Sequence, residues 1–418
     1  MSTNPPTPKP KPKTTPRLTL LDGGLGTTLT SPPYNIPFTS AHPLWSSHLL
    51  LTPSSRETLR DAQKTFVDAG VDVLLSATYQ ASFVGFSLTE VIEGDGDGDE
   101  NKDGDEGRGK GKEGKGGGRG IGREEAGRLM RGGVRIAREC FVGRDKERDG
   151  EKGSGNVALS LGAYGATTIP GTEYSGLYDD LHTTVSQLAG WHFERLSVYF
   201  PSTTDSEKDV EEEEDEQVGK EKEECWENVN WIAFETLPTR NEILAVRRVM
   251  DSLPVIPQKP FWISCVFPGE ENILPDDSSC FQVVEAMLGT SSKAGEKEER
   301  GRVPDGIGIN CTKVSKLESL VLEFEDATRE VLGREGREEW PILVVYPDGT
   351  KGEAYNTTTK MWEMGESVGE CLGPWDEIVF GIVMRARERG LWREIFVGGC
   401  CKSTAEDIGK LRRRIDEL

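Results

Sequence analysis

Eight short apolar runs, most of them rich in β-branched residues, recur along the chain and form its strongest pattern. They are Leu18–Gly24, Val71–Thr78, Val157–Tyr164, Trp231–Thr236, Phe261–Phe267, Gly306–Cys311, Pro341–Pro347 and Glu394–Cys401. Each has the length of a strand and is too uniformly apolar to alternate in and out of water, as parallel strands covered on both faces are. Between them, Ser55–Ala69, Asp179–Leu196, Asn241–Asp251, Lys316–Leu332, Trp375–Arg389 and Thr404–Leu418 carry helical apolar spacing. The first of these helices is expected to be capped by Ser54 or Ser55 and to stop at Gly70. Strand–helix alternation repeated eight times predicts an α/β fold, a (β/α)8 TIM barrel. An open doubly wound sheet competes, and the strand count favours the barrel.

Two stretches break the pattern. Residues 93–119 and 203–225 are dominated by Asp, Glu, Lys and Gly. The span 205–224 holds twelve acids and three bases, and 93–119 holds nine acids and six bases, so they carry −12 of the net charge of −22. Such segments bury too little apolar surface to offset chain entropy, and both are expected to be disordered surface insertions. Without them the remaining sequence has ordinary globular content. The Gly-rich run at 116–122 follows no strand and lacks phosphate-loop spacing, so it reads as linker.

Residues 1–17, rich in Pro, Lys and Thr, are expected to be a disordered basic tail ahead of a barrel over 18–415. They contain no apolar stretch for a secretory signal, and their prolines oppose an amphipathic presequence. With no run of transmembrane length, a cytoplasmic protein without a membrane partner is expected. The acidic balance argues against a nucleic-acid partner.

Polar and sulfur groups gather where the predicted strands end: Asp22-Gly23-Gly24, Thr78-Tyr79-Gln80, Tyr164-Gly165, Glu235-Thr236, Cys311 and Cys400-Cys401. In a barrel those ends share one mouth, which is where chemistry gathers. In a reducing compartment the eight cysteines are expected to be thiols or metal ligands, not disulfides. Cys311, Cys400 and Cys401 could meet at one ion, and three thiolates with an open fourth position describe a catalytic zinc site. Cys140, Cys225, Cys265, Cys280 and Cys371 read as core, and His42, His48, His182 and His192 as surface or capping residues. Glu235 could hold an ammonium and the backbone of residues 23–26 a carboxylate, a pairing that suits an amino acid. The competing role for Asp22 is a turn or cap, and for Glu235 an ion pair with a barrel-end Lys or Arg.

These residues lie in motifs that resemble the homocysteine S-methyltransferases, in particular the branch using S-methylmethionine or S-adenosylmethionine. The motifs are Leu21–Thr28, Ala77–Ser82, Leu161–Ala166, Gly171–Gly176, Ala233–Pro238, Gly308–Thr312, Val345–Pro347 and Gly399–Lys402, in order along residues 18–415. The resemblance implies a TIM barrel with zinc on Cys311, Cys400 and Cys401. It implies homocysteine with its sulfur on the metal, its amino group near Glu235 and its carboxylate near Asp22, Gly23 and Gly24, with Gln80 and Asn310 also in the substrate site. Gln80 stands where a betaine-using branch carries tyrosine. The insertions, and Ser76-Ala77 where the family often has polar residues, bear on donor choice. Tyr79 and Tyr164 are candidates to meet a sulfonium by cation–π contact. The rival readings are a betaine- or other-donor thiol methyltransferase, a non-catalytic zinc-thiolate sensor and an acidic scaffold.

Overall fold

A computed structural model of the chain describes residues 15–38, 43–89, 120–143, 147–148, 151–152, 155–201, 216–255, 257–290, 300–350, 353–356, 361–364 and 373–418. Eight parallel strands form the frame: β1 Arg17–Leu20, β2 Val73–Leu75, β3 Asn156–Gly162, β4 Trp231–Leu237, β5 Phe261–Cys265, β6 Gly306–Asn310, β7 Ile342–Tyr346 and β8 Glu394–Val397. Each pairs with its neighbour in sequence, β8 pairs β1, and a parallel bridge from Leu21 to Val73 joins β1 to β2. The sheet therefore closes on itself, which decides for the (β/α)8 barrel over the open sheet.

Strand residues divide by parity. Leu21, Val73, Ala158, Ala233, Trp262, Ile342, Val344, Tyr346 and Phe396 pack together inside the barrel. Their neighbours, such as Leu159, Ile232, Ile263, Ile307, Val345 and Ile395, join the larger core beneath the helices. Both faces of every strand are thus buried, which is why the runs show no polar alternation. Two inward positions of β6, Gly306 and Gly308, are glycines because neighbouring strands leave no room for a side chain. A Cβ on Gly308 would stand 1.8 Å from the Val344 carbonyl oxygen, and one on Gly306 would stand 3.1 Å from Trp262 Cβ.

The outer layer comprises α1 Leu25–Thr30, α2 Pro53–Asp68, α3 Phe83–Ser87, α4 Arg123–Glu139, α5 Val185–Leu196, α6 Glu216–Asn228, α7 Arg240–Ser252, α8 Cys280–Leu288, α9 Val314–Arg334, α10 Trp375–Arg389 and α11 Ala405–Asp416. The expected helices are present, α10 with the expected bounds and the others with shifted ends. The cap of α2 is Thr52, whose side chain accepts from the Ser55 N–H in a capping box, rather than Ser54 or Ser55. Helix α5 starts at a Thr184 cap rather than at Asp179.

The expected disorder of 203–225 is corrected in part, since residues 216–225 belong to α6. The helix holds because Cys225 and Trp226 are buried and Arg131 pairs with Glu221 at 2.8 Å, giving an acidic segment an apolar stripe and a buried cation. Arg17, assigned to the tail, is the first residue of β1. The insertion 93–119 and Cys371 lie outside the described residues. Among the described residues no helix is long and apolar enough to cross a membrane.

Candidate active site

A single cavity at the carboxyl ends of the strands is lined by all nine residues singled out from the sequence: Asp22, Gly23, Gly24, Gln80, Glu235, Asn310, Cys311, Cys400 and Cys401. The three sulfurs arrive from two strand ends. Cys311 follows β6 with a φ of 47°, and the Gly398–Ser403 turn follows β8. That turn is tied on every side. The Gly399 N–H donates to Asp22 O at 2.9 Å, Cys400 N–H to Pro347 O at 2.8 Å and Lys402 N–H to Thr27 Oγ1 at 2.9 Å. The glycines before the cysteines are required by close approach, because a Cβ on Gly398 would meet Leu21 Cβ at 2.6 Å.

The Sγ atoms of Cys311, Cys400 and Cys401 all lie within 4.8 Å of one another. Cys311 and Cys400 stand close enough to join as a disulfide when oxidised. The reason is convergence: their Cα atoms stand 5.4 Å apart, inside the range a disulfide spans. Burial, with Asp348 and Glu173 nearby, pushes the Cys401 thiol up to about 12. Reduced, the triplet offers three soft sulfur donors at one point, the donor set of a thiophilic divalent ion. Cys140, Cys225, Cys265 and Cys280 are buried core residues.

The acidic side of the cavity is equally constrained. Glu235, 5% exposed, accepts hydrogen bonds from the Ser160 and Tyr346 hydroxyls. Tyr346 is held in turn by the Trp262 indole N–H at 3.2 Å and the Ser264 hydroxyl at 2.5 Å. Burial raises the Glu235 carboxyl to about 7, against the hydrogen bonds and the Arg195 charge that favour ionisation. Asp22, also 5% exposed, is raised well above the usual range by burial, with the Glu235 charge adding to it. Its Oδ2 accepts the Leu75 N–H at 3.1 Å, so it also serves the turn role weighed against a binding role. The ion pair weighed against a binding role for Glu235 is absent among the described residues. Two facing carboxyls in a buried cleft that both resist ionisation make a receptor for a cation.

Some expected contacts are placed differently. The Gly24 N–H donates to Ser403 O at 3.0 Å, so it is engaged within the fold. The Asn310 side chain is bonded at both ends to Thr236: its Oδ1 accepts from Thr236 N at 2.9 Å and its Nδ2 donates to Thr236 Oγ1 at 2.7 Å. It holds a β-branched residue at a φ of 60°, where β4 slips register after Phe234. The Thr236 hydroxyl continues to the Tyr79 phenol.

Tyr79 lines the cavity, but Tyr164 turns into a separate aromatic group, stacked on His182 with centroids 3.9 Å apart. His192 is fully buried rather than on the surface, with Nε2 2.9 Å from Glu242. Sequence reasoning missed Ser160, Tyr346, Glu173, Tyr174 and Trp45 in the lining. Tyr346 ends β7, and Glu173-Tyr174 lie inside the Gly171–Gly176 motif, so two of the signals were present.

The family model described as homocysteine S-methyltransferase matches residues 19–415. The chain belongs to the homocysteine S-methyltransferase family. A selenocysteine Se-methyltransferase of Brassica oleracea var. italica is 27% identical, covering 95% of this chain and 88% of its own. Homocysteine S-methyltransferase 2 of Arabidopsis thaliana is also 27% identical, covering 95% and 92%. Among solved structures, the metallated form of the homocysteine methyltransferase MmuM from Escherichia coli superposes with a TM-score of 0.59 at 21% identity, covering 95% and 96%. That likeness supports the barrel. Membership makes the chain a methyltransferase and sets aside the sensor reading.

Proposed function

We propose that this methyltransferase is zinc-dependent and moves a methyl group from a sulfonium donor, S-methylmethionine or S-adenosylmethionine, to homocysteine, forming methionine. The observation that carries the reading is one cavity holding both a three-sulfur cluster and a pair of buried carboxyls. Cys311, Cys400 and Cys401 would hold the zinc, which when bound supplies the Lewis acidity that lowers a thiol pKa. Glu235 and Asp22 would receive the homocysteine ammonium, a cation that returns both carboxyls to their ionised forms. The Ser160 and Tyr346 hydroxyls fix the Glu235 carboxylate in place, and Asn310 fixes Thr236 beside it. Attack converts an anion and a cation into two neutral thioethers, a change that a buried cleft favours over water. Gln80 then acts by shape, helping to bring methyl carbon and sulfur into line.

The name of the Brassica relative motivates a second acceptor, selenocysteine, whose selenolate a soft donor set would accept as readily. The test is purified protein with zinc and a reductant, given homocysteine or selenocysteine and each sulfonium in turn, with methylated product followed. Turnover with betaine but with neither sulfonium would overturn the donor assignment. Turnover undiminished after complete removal of zinc would overturn the metal assignment.

A further inference from the structure

The cavity carries a further buried carboxyl besides the Asp22–Glu235 pair. Glu173, 6% exposed, enters from the loop between β3 and α5 together with Tyr174. It lines the cavity with Tyr79, Tyr174 and Cys401, and Tyr79 stands near both Glu173 and Glu235. The loop is shaped to admit it. A Cβ on Gly171 would meet Glu173 Oε2 at 2.5 Å, and one on Gly165 would meet the Glu173 backbone nitrogen at 2.6 Å. It is also anchored: buried Glu242 accepts the Tyr164 N–H at 2.6 Å and the Tyr178 hydroxyl at 2.5 Å, and its Oε1 lies 2.9 Å from His192 Nε2. A buried carboxyl that shares the cavity lining with two tyrosines and the sulfur cluster is the chemistry of a cation subsite.

Building on the methyl-transfer reading of this cavity, we propose that Glu173, with the rings of Tyr79 and Tyr174, forms the subsite for the cationic methyl donor and selects a sulfonium over an uncharged molecule of the same shape. In the transfer the acceptor thiolate's electron pair forms the new carbon–sulfur bond, the old bond's pair stays on the donor sulfur, and both products are uncharged at sulfur. The positive charge beside Glu173 is largest before reaction and gone after it. The carboxylate therefore acts on donor affinity and favours exchange of product for fresh donor.

The test compares S-methylmethionine with homoleucine, its carbon isostere without the sulfonium charge, on Glu173→Gln and on Glu173→Ala. Removing the carboxylate is expected to raise the KM for S-methylmethionine about tenfold or more, the size of one partly buried charge pair. The KM for homocysteine and inhibition by homoleucine are expected to stay within about twofold on the same scale. Unchanged discrimination between sulfonium and isostere, or an equal loss for both, would overturn the inference. A homocysteine KM that rose as much as the donor KM would do so too, by making Glu173 part of the acceptor site. Wild-type protein inactive with every sulfonium would instead overturn the functional reading beneath it.

Discussion

The Glu235→Gln variant separates what this residue does for binding from what it does to stability, and the two are expected to move in opposite directions. The carboxyl titrates near its ordinary 4.5 in the unfolded chain and at about 7 in the folded one. Folded protein therefore binds the proton more tightly, and stability is highest below 4.5 and falls as pH rises toward 7. Above 7 both states are ionised and the loss is constant. At about 1.4 kcal/mol per pH unit the full loss is about 3 kcal/mol, of which about 1 kcal/mol has accrued by pH 5. Glutamine keeps an acceptor for the Ser160 and Tyr346 hydroxyls and carries no charge at any pH. Any constant cost of the substitution cancels when the two proteins are compared at two pH values.

The expected observation is a melting temperature for Glu235→Gln that gains on wild type by about 3 °C between pH 5 and pH 8, taking about 2 cal/mol/K of unfolding entropy per residue. The measurement is made without homocysteine and at matched metal content. Homocysteine at pH 8 should then raise the wild-type melting temperature more than the variant's, because in the variant Asp22 alone is left to meet its ammonium. A difference between the proteins that is the same at both pH values would refute the argument. It would mean that the buried carboxyl is stabilised by partners rather than held against its charge.

Cys311→Ala, Cys400→Ala and Cys401→Ala are each expected to abolish stoichiometric zinc in elemental analysis and to remove turnover, with a far-ultraviolet spectrum unchanged from wild type. A variant with normal turnover and no metal would contradict the assigned donor set. Arg195, 2% exposed, donates to the carbonyls of Thr78, Tyr79, Ala81 and Gly162 at 2.6–2.8 Å, so it clamps the ends of β2 and β3. Arg195→Met strands those acceptors and is expected to cost about 3–5 kcal/mol, read as a lower denaturation midpoint. Gly308→Ala places a methyl 1.8 Å from a backbone oxygen and is expected to yield no soluble protein; a folded variant with native melting would show that the bore can relax.

The strands were legible because two buried faces leave an unbroken apolar run, and the site was legible because strand ends in a barrel share one mouth. What the sequence could not show was side-chain traffic between elements. Arg195 and Arg247 sit in helices where an arginine ordinarily marks the solvent face, yet both are buried and bonded to backbone carbonyls; Arg247 reaches Ala286, Gly289, Gly301 and Arg302. Helix α6 was hidden for the opposite reason. Its acidic composition argues for disorder, and only the packing of Trp226 and the reach of Arg131 give it a place. Asn310 enters the expected substrate site through the family resemblance and does line the cavity, but local sequence cannot reveal that its amide is bonded at both ends to a threonine on another strand.

These placements share a physical logic. Around the cavity three non-glycine residues at strand ends sit in the left-handed region, Thr236 and Cys311 in its lining and Lys402 next to Cys401, while Trp45 lines it from the segment before α2. These three are fixed from other elements: Thr236 in β4 by Asn310 at the end of β6, Lys402 after β8 by Thr27 in α1, and the Cys311 N–H by the Tyr346 carbonyl at the end of β7 at 3.2 Å. Strained backbone persists only where its surroundings over-determine it, so the closed barrel is what allows sulfur and carboxyl groups from five strands to be presented at one point. An open sheet could align the same strand ends in a row. It could not bring the turn after β8 against the loop after β1, the contact in which Gly399 donates to Asp22 and by which the sulfur cluster and the acidic cleft become one site.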